Sequence, residues 1–289
     1  MPKLPPPLAL WPRHYVDGEP GSSSAPQSWC KGAKLGYEEL VSLLHLGVDR
    51  VGEALSDLDD WGPTGGREGE YRCDLAADQA LAEVFGQTGL SIWSEESGRK
   101  PKAQRTGDTF GGELTVVVDP VDGSTNAARG VPYFATSLAV VDQSGPLVAV
   151  VANLATGTRY EAVKNQGARR NGTPITPSAA KSASEAIIGV NGWPERPLPW
   201  QQYRVMGASA LEICAVADGS MDAYVTFASG LAPWDYLGAM LVCQEAGAVI
   251  FDRAKGALFP LEEGERRYVL AAATQDLSQD ILSGLAGEK

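Results

Sequence analysis

The sequence contains only two histidines, His14 and His45, in 289 residues. His14 lies in a proline-rich stretch and His45 in an amphipathic helical pattern, so neither is well placed for catalysis. This scarcity argues against Ser-His-Asp hydrolysis, Cys-His chemistry and histidine-rich metal sites. The phosphate-binding G-x-x-x-x-G-K-[ST] loop and the G-x-G-x-x-G dinucleotide fingerprint are also missing. Any hydrolytic chemistry must therefore depend on carboxylates, hydroxyls, backbone groups and the ions that they hold.

Cysteines are few, and they are too far apart to form a C-x-x-C pair. This spacing argues against a zinc site and against a dense disulfide framework. No apolar run reaches the length of about 18 residues that a membrane helix needs, and the N-terminus has too many prolines for a signal peptide. We therefore expect a cytoplasmic protein without a membrane segment.

Acidic residues outnumber basic ones. The 36 Asp and Glu and the 24 Lys and Arg give a formal net charge of −12. A nucleic-acid groove needs a basic face, so we expect no nucleic-acid partner. The hydrophobic fraction of 44% is ordinary for a globular protein. The length is sufficient for a large core, in one domain or in two closely packed halves.

The sequence pattern divides the chain into a tail and two halves. Residues 1–34 are rich in proline and serine, and we predict that they are disordered. Residues 35–180 predict an α+β half that begins with two helices, at 37–58 and 74–85, and continues through a buried strand into an antiparallel meander. Residues 181–289 alternate between strands and helices and predict a layered α/β half.

The most specific motif is DPVDGSTN at residues 119–126, directly after the buried strand 114–118. Its glycine permits an unusual backbone conformation just where the following Ser and Thr could begin a helix. Exposed amides at such a turn bind phosphate, but the two carboxylates of the motif would repel a phosphate unless cations intervene. The motif therefore predicts a metal-assisted phosphate site.

Two further acidic groups could complete such a site. Glu95 and Glu96 follow the strand candidate 90–93, and Asp235 lies in the first turn of a predicted helix. Each of these, taken alone, is also typical of a solvated loop or a helix cap. Together with the octad they form a set of hard oxygen ligands, which suits Mg²⁺ or Mn²⁺.

These residues resemble the inositol monophosphatase family of Mg²⁺-dependent, lithium-sensitive phosphatases. DPVDGSTN, the Ser94-Glu95-Glu96-Ser97 block and PWDYLGA at 233–239 are similar to the three signature blocks of that family. Weaker matches are Ala77-Asp78-Gln79, the block at 167–172 and the block at 206–210. The resemblance implies an α+β fold, a layered α/β/α/β/α sandwich with the metal site between the halves. It also implies a possible homodimer.

The resemblance implies roles residue by residue. One Mg²⁺ would be held by Glu95, Asp119 and the Val121 carbonyl, and a second by Asp119, Asp122 and Asp235. Glu96 would support a third, weaker ion, and Mn²⁺ is a possible substitute. Ser124, paired with Asp78, would orient and deprotonate the attacking water. The groups that would contact phosphate or substrate are Gly123, Ser124, Thr125, Gly207, Ala208 and Thr226.

The implied activity is Mg²⁺-dependent hydrolysis of a small phosphate monoester, either inositol monophosphate or a related sugar or polyol phosphate. Ala76 stands where the family usually has Thr, two residues before the helix aspartate, a departure that concerns Asp78. Thr226 stands where inositol-preferring members have an acidic residue. Histidinol phosphate, fructose 1,6-bisphosphate and 3′-phosphoadenosine phosphates therefore remain alternative substrates. A non-catalytic, protein-binding member of the family is the alternative from another class.

The basic loop at 99–105 is either a lid over an anionic substrate or a solvated loop.

Overall fold

The computed structural model describes residues 35–67, 69–100, 113–195, 198–227, 229–259, 262 and 264–286. The predicted tail, residues 1–34, lies outside them. Two sheets and the helices around them stack as five layers in the order helices, sheet, helices, sheet, helix. This is the α/β/α/β/α arrangement that the family resemblance implies.

The first sheet contains the acidic motifs at 94–97 and 119–126. Its strands are β1 (Ser91–Ser94), β2 (Gly98–Lys100), β3 (Thr115–Asp122), β4 (Ala135–Asp142), β5 (Gly145–Asn153), β6 (Arg159–Val163), β7 (Ala168–Arg170) and β8 (Thr173–Pro174). They pair in the order β2-β1-β3-β4-β5-β6-β7-β8. Only β1 and β3 run parallel among these neighbours. The predicted meander is confirmed, because β4, β5 and β6 are successive antiparallel strands.

The second sheet belongs to the C-terminal half. Its strands are β9 (Ile187–Asn191), β10 (Gln202–Arg204), β11 (Ala223–Thr226), β12 (Val249–Asp252) and β13 (Val269–Ala272), in the order β10-β9-β11-β13-β12. β10, β9 and β11 are parallel, so their carboxyl ends meet at one edge of the sheet. β13 is antiparallel to both of its neighbours.

The helices differ in how much apolar surface they carry, and this matches their layers. The outer helices α1 (Tyr37–Ser56) and α2 (Arg72–Phe85) cover one face of the first sheet, and α6 (Gln275–Ala286) covers the second sheet. The central helices α4 (Ser209–Ala217) and α5 (Pro233–Ala246) lie between the sheets. A short helix, α3 (Ser124–Arg129), and a 3₁₀ turn (Ala183–Glu185) complete the set. The central helices are apolar on nearly all sides because sheets pack against both of their faces.

The structure adds short elements that the sequence pattern did not predict, namely β2, β7, β8 and β10. Each has only two or three residues, too few to show an alternating pattern. The described cysteines Cys73, Cys214 and Cys243 are buried and free, which agrees with the expectation of no disulfide framework. Within the described part of the chain, no helix is both long and apolar enough to cross a membrane.

Packing of α1 against the first sheet generates a stability prediction. Leu44 is fully buried in that interface, whereas Leu75 on α2 is 42% exposed. We expect Leu44→Ala to lower the free energy of unfolding by about 2–5 kcal/mol, because it removes buried surface and leaves a cavity. Leu75→Ala is the matched control and should change it by about 0.5 kcal/mol or less. Urea unfolding measures both, and equal effects would contradict the layer assignment.

Candidate active site

The end of β3 places two carboxylates side by side. Asp119 pairs with Ser137 and Asp122 with Ala135, so β3 uses one residue more than β4 over this stretch. Residues three apart on a regular strand point to opposite faces, but an extra residue lets both project to the same side. The intervening Val121 instead buries its side chain in the core beneath α1 and α2. The bulge therefore places both carboxylates of the motif on one side of the strand.

Two other elements bring carboxylates to Asp119. Glu95 follows β1, and its amide donates to the Val118 carbonyl at 3.1 Å, which sets it beside the end of β3. Asp235 lies in the first turn of α5 and accepts the Ala232 amide at 2.8 Å. One oxygen from each of Glu95, Asp119 and Asp235 lies within 4.8 Å of the others. Asp235, much later in the sequence, thus lies beside the end of β3.

Asp122 is held by the second half in a different way. Its carboxylate accepts the backbone amides of Ser209 at 3.2 Å and Ala210 at 2.7 Å, at the start of α4. A helix N-terminus carries partial positive charge, so this contact offsets part of the repulsion between neighbouring carboxylates. The first turns of α4 and α5 thus both face the same acidic cluster.

The crowding of carboxylates raises their affinity for protons. Burial, together with repulsion from Glu95 and Asp122, raises the pKa of Asp119 well above that of an ordinary aspartate. Burial and repulsion from Asp235 do the same to the pKa of Asp122. Glu95 is exposed as a residue, but desolvation of its carboxylate and repulsion from Asp235 raise its pKa to about 7. Burial raises the pKa of Asp235 to about 6.

The donor set fits a divalent cation. Oδ1 of Asp119 is buried and has no hydrogen-bond partner among the described residues. A buried acceptor without a partner is costly, and a cation at that oxygen would remove the cost. Three close carboxylates that repel one another are the hard oxygen ligands that Mg²⁺ and Mn²⁺ prefer. The residues present are therefore suited to binding such an ion.

The structure places Ser124 beside Asp74, whereas the resemblance implies Asp78 as its partner. Asp74 is 4% exposed, and its carboxylate interacts with the Ser124 side chain. Burial and repulsion from Glu96 and Glu95 raise the pKa of Asp74 to about 8. Asp78, one turn later on α2, instead accepts the hydroxyls of Ser94 at 2.5 Å and Ser97 at 3.1 Å. It supports the turn that carries Glu95 and Glu96.

The remaining N-terminal candidates lie around the same cleft. Glu96 forms an ion pair with Arg67 at 2.6 Å, and burial raises its pKa although Arg67 acts against this shift. Thr125 is exposed, and its hydroxyl lies 2.9 Å from the Tyr71 hydroxyl. Gly123 caps α3 with φ of 88°. This left-handed conformation favours glycine and confirms the unusual turn predicted from the sequence.

The C-terminal candidates divide into two groups. Gly207 is exposed, and a Cβ added to Gly123 would lie 2.9 Å from its carbonyl oxygen, so the 206–208 loop touches the phosphate motif. Ala208 is buried directly behind it. Thr226 is fully buried at the end of β11. Its expected contact with substrate stays a prediction.

The basic loop is also different from the expectation where the structure describes it. Arg99 and Lys100 belong to the edge strand β2. The Arg99 guanidinium lies 4.0 Å from the centroid of the Trp93 ring, and the Lys100 ammonium lies 3.9 Å from Asp78. These two residues are part of the sheet rather than of a lid. Residues 101–105 lie outside the described part of the chain.

Sequence reasoning missed several residues of the site. The sequence predicts Asp74 only as the first residue of the second helix, and the resemblance assigns the site role to Asp78. The Trp234 side chain lowers the pKa of Glu95 and the Arg266 charge lowers that of Asp235, in both cases against the effect of burial. Nothing in the local sequence around Arg266 marks it as a neighbour of the site.

Comparisons with known proteins agree with this geometry. A model of the inositol monophosphatase family matches residues 72–286. The fructose-1,6-bisphosphatase/inositol-1-monophosphatase of Methanothermobacter thermautotrophicus is 32% identical over 254 residues, covering 82% of this chain and 87% of that protein. The Nus factor SuhB of Pasteurella multocida is 29% identical over 227 residues, covering 73% of this chain and 79% of that protein.

Solved structures show the same fold. The inositol monophosphatase from Anabaena (Nostoc) sp. PCC 7120 superimposes with a TM-score of 0.68 at 22% sequence identity, covering 86% of this chain and 98% of that chain. At this identity the likeness concerns the architecture. It supports the layered arrangement derived above.

The raised pKa values predict how stability depends on pH without metal. Unfolded carboxyls titrate near pH 4, whereas Asp235, Glu95 and Asp74 have pKa values of about 6, 7 and 8 in the folded protein. The folded state therefore binds more protons in this window, and the contribution of these groups to stability is complete below about pH 4 and is lost as the pH rises through 6 to 8. Magnesium should reduce this loss, because it replaces the missing protons with positive charge.

Asp119→Asn tests this expectation in EDTA. We expect the variant to gain stability relative to wild type between pH 5 and pH 8 by more than about 1.4 kcal/mol, the equivalent of one pKa unit. Urea unfolding at both pH values measures the gain. Asp276→Asn, in the first turn of α6 and largely exposed, is the control and should show no such difference. A variant-to-wild-type difference that does not change with pH would contradict the charge argument.

Proposed function

Because this chain belongs to the inositol monophosphatase family, we propose that it is a Mg²⁺-dependent phosphatase that hydrolyses a small sugar or polyol phosphate monoester. The observation that carries the proposal is the cluster of Glu95, Asp119 and Asp235, whose carboxylate oxygens lie within 4.8 Å of one another. Relatives in the family are named as phosphatases, which hydrolyse phosphoric monoesters. The buried Asp119 oxygen without a described partner supports the need for a cation there.

The cations would be held by the acidic cluster. Glu95, Asp119 and the Val121 carbonyl would bind one ion, and Asp119, Asp122 and Asp235 a second, while Glu96 would support a third. When bound, these ions make water a better nucleophile and neutralise charge on the phosphate and on the leaving oxygen. The protein's part is to keep the carboxylates in place, which the β3 bulge and the first turns of α4 and α5 do.

Asp74 and Ser124 would orient the attacking water and accept its proton. With the Ser124 hydroxyl donating to the neighbouring Asp74 carboxylate, the lone pairs of its oxygen would accept from a water in the cleft. A proton taken from that water can pass through the hydroxyl to Asp74. In this proposal Asp74 takes the role expected for Asp78.

The phosphate would lie against the turn that begins α3. The amides of Gly123, Ser124 and Thr125 belong to this turn, and its left-handed glycine leads the chain into the helix. Backbone amides aimed at phosphate oxygens stabilise the charge that develops there during in-line attack. The exposed Gly207 and the adjoining Ala208 would face the leaving group.

The substrate class is the part of the proposal that rests on relatives. One relative carries a name that joins fructose-1,6-bisphosphatase with inositol-1-monophosphatase, which favours fructose 1,6-bisphosphate and inositol monophosphate as the first substrates to test. Histidinol phosphate and 3′-phosphoadenosine phosphates stay alternatives. The relative named as a Nus factor makes a protein-binding role the alternative from another class.

Four further expectations from the sequence stay predictions. They are the identity of the metal as Mg²⁺ with Mn²⁺ as a substitute, sensitivity to lithium, a cytoplasmic location and a homodimer. The division into halves at about residue 180 is a prediction of the same kind. The site itself combines residues from both proposed halves, Asp119 from one and Asp235 from the other.

Loss of a cluster carboxylate should abolish turnover without unfolding the protein. We expect Asp119→Asn and Asp235→Asn each to lower kcat/KM at least about 10²-fold, because each removes a cation ligand. Phosphate release is measured with inositol monophosphate, fructose 1,6-bisphosphate, histidinol phosphate and 3′-phosphoadenosine 5′-phosphate, with Mg²⁺, without Mg²⁺ and with added Li⁺. Asp276→Asn is the control and should retain activity. Full activity in both cluster variants would refute the site assignment.

The two aspartates of α2 should differ in their effect on turnover. We expect Asp74→Asn to lower kcat by about 10²- to 10⁴-fold, the range for loss of a general base. Asp78→Asn keeps its hydrogen bonds to Ser94 and Ser97 in large part, so its kcat should stay within about tenfold of wild type. Steady-state kinetics on the preferred substrate separates them. The reverse order would restore the role to Asp78.

A further inference from the structure

A buried carboxylate that the mechanism does not use lies beneath the substrate side of the cleft. Glu212, in the first turn of α4, is 1% exposed. Its carboxylate accepts the Met206 backbone amide at 3.3 Å, through Oε1. The amides of Gly207 and Ala208 also act on this carboxylate, since they lower its pKa against the effect of burial. Burial of a carboxylate is costly, so the Glu212 carboxylate needs hydrogen bonds to remain buried.

The loop that Glu212 holds touches the phosphate motif directly. The Gly207 carbonyl oxygen would lie 2.9 Å from a Cβ on Gly123, so the two backbones are in close contact. Gly207 itself has φ of 81°, a left-handed conformation that favours glycine. A shift of the loop would therefore change the cleft next to the turn that begins α3.

A second clamp holds the same loop from the opposite half. The side-chain amide of Asn126 donates to the Met206 carbonyl at 2.7 Å and to the Tyr133 carbonyl at 2.8 Å. Glu212 binds the amides of the loop, and Asn126 binds one of its carbonyls. The loop is therefore fixed from both sides, although Gly207 is exposed to solvent.

The same helical turn also holds Asp122. The Ser209 and Ala210 amides that bind Asp122 lie between the loop and Glu212 in the sequence. One turn of α4 thus connects a cation ligand with the substrate side of the cleft. Loss of Glu212 would release the loop, whereas the two amides on Asp122 would stay in place.

We propose that Glu212 is a positioning residue, which fixes the 206–208 loop against the Gly123 turn and so sets where the leaving group of the substrate binds. This inference rests on the proposed function, because it assigns the loop to the substrate side of that site. It goes beyond that proposal by naming a residue that determines substrate affinity without touching the substrate. A change at Glu212 should leave the cation ligands in place.

Glu212→Gln tests the proposal most directly. It keeps the shape of the side chain but places an amide group, itself a donor, among backbone donors. We expect KM for the preferred substrate to rise at least about tenfold, while kcat and the Mg²⁺ concentration for half-maximal activity stay within about threefold. Glu245→Gln is the matched control. Glu245 also accepts two loop amides, from Asn165 at 2.7 Å and Gly167 at 2.9 Å, but near the opposite end of α5 from Asp235. KM should not change in that variant.

Amide hydrogen exchange provides a readout that does not depend on turnover. We expect the amides of Met206, Gly207 and Ala208 to exchange faster in Glu212→Gln than in wild type and in Glu245→Gln. Unchanged exchange would overturn the inference, and so would a lower melting temperature with unchanged KM. If no tested substrate is hydrolysed by wild type, the proposed function fails, and the exchange rates still decide whether Glu212 fixes the loop.

Asn126→Ala covers the case in which Glu212→Gln does not fold. This variant releases the Met206 carbonyl and frees the loop from the other side. The same rise in KM and the same faster exchange at 206–208 are expected. Wild-type values for both in Asn126→Ala would overturn the inference.

Discussion

The structure depends on holding several negative charges together at one place. Asp119 and Asp122 come from β3 and Asp235 comes from α5. Burial and repulsion from neighbouring carboxylates raise the affinity of Asp119 and Asp122 for protons. Without a cation or a proton such a cluster opposes folding. The surrounding elements must therefore be rigid enough to keep it assembled. They are a bulged central strand and two helices packed between sheets.

The central helical layer performs this task through its N-termini. The first turn of α4 donates two amides to Asp122, and the first turn of α5 supplies Asp235, whose carboxylate is fixed by the Ala232 amide. Helix N-termini carry partial positive charge, which favours carboxylates nearby. Both helices are buried between the sheets, so their direction cannot change without disrupting the core. The layered fold is thus the reason that residues far apart in sequence meet at a defined distance.

The layers and the metal carboxylates could be predicted from the sequence, but the partners within the site could not. Apolar periodicity defines a helix such as α1, and DPVDGSTN is specific enough to place Asp119 and Asp122. Asp74 and Asp78 are four residues apart on one helix face, so sequence cannot decide which of them faces Ser124. In the structure Ser124 lies beside Asp74, whereas Asp78 binds Ser94 and Ser97. Such contacts depend on which elements pack against the helix, and the sequence around a residue does not show this.

In the proposed mechanism, the phosphate chemistry and the choice of substrate depend on different parts of the site. The carboxylates and the Gly123 turn would act on the phosphate group, which every phosphate monoester shares, so they would not distinguish one leaving group from another. Discrimination would then come from the surface beyond the phosphate, which the exposed backbone at Gly207 adjoins. Such a surface discriminates between leaving groups only while it is held in place, because a loop that can shift will accommodate several of them. Under this proposal selectivity depends on Glu212 and Asn126, which hold that loop from both sides.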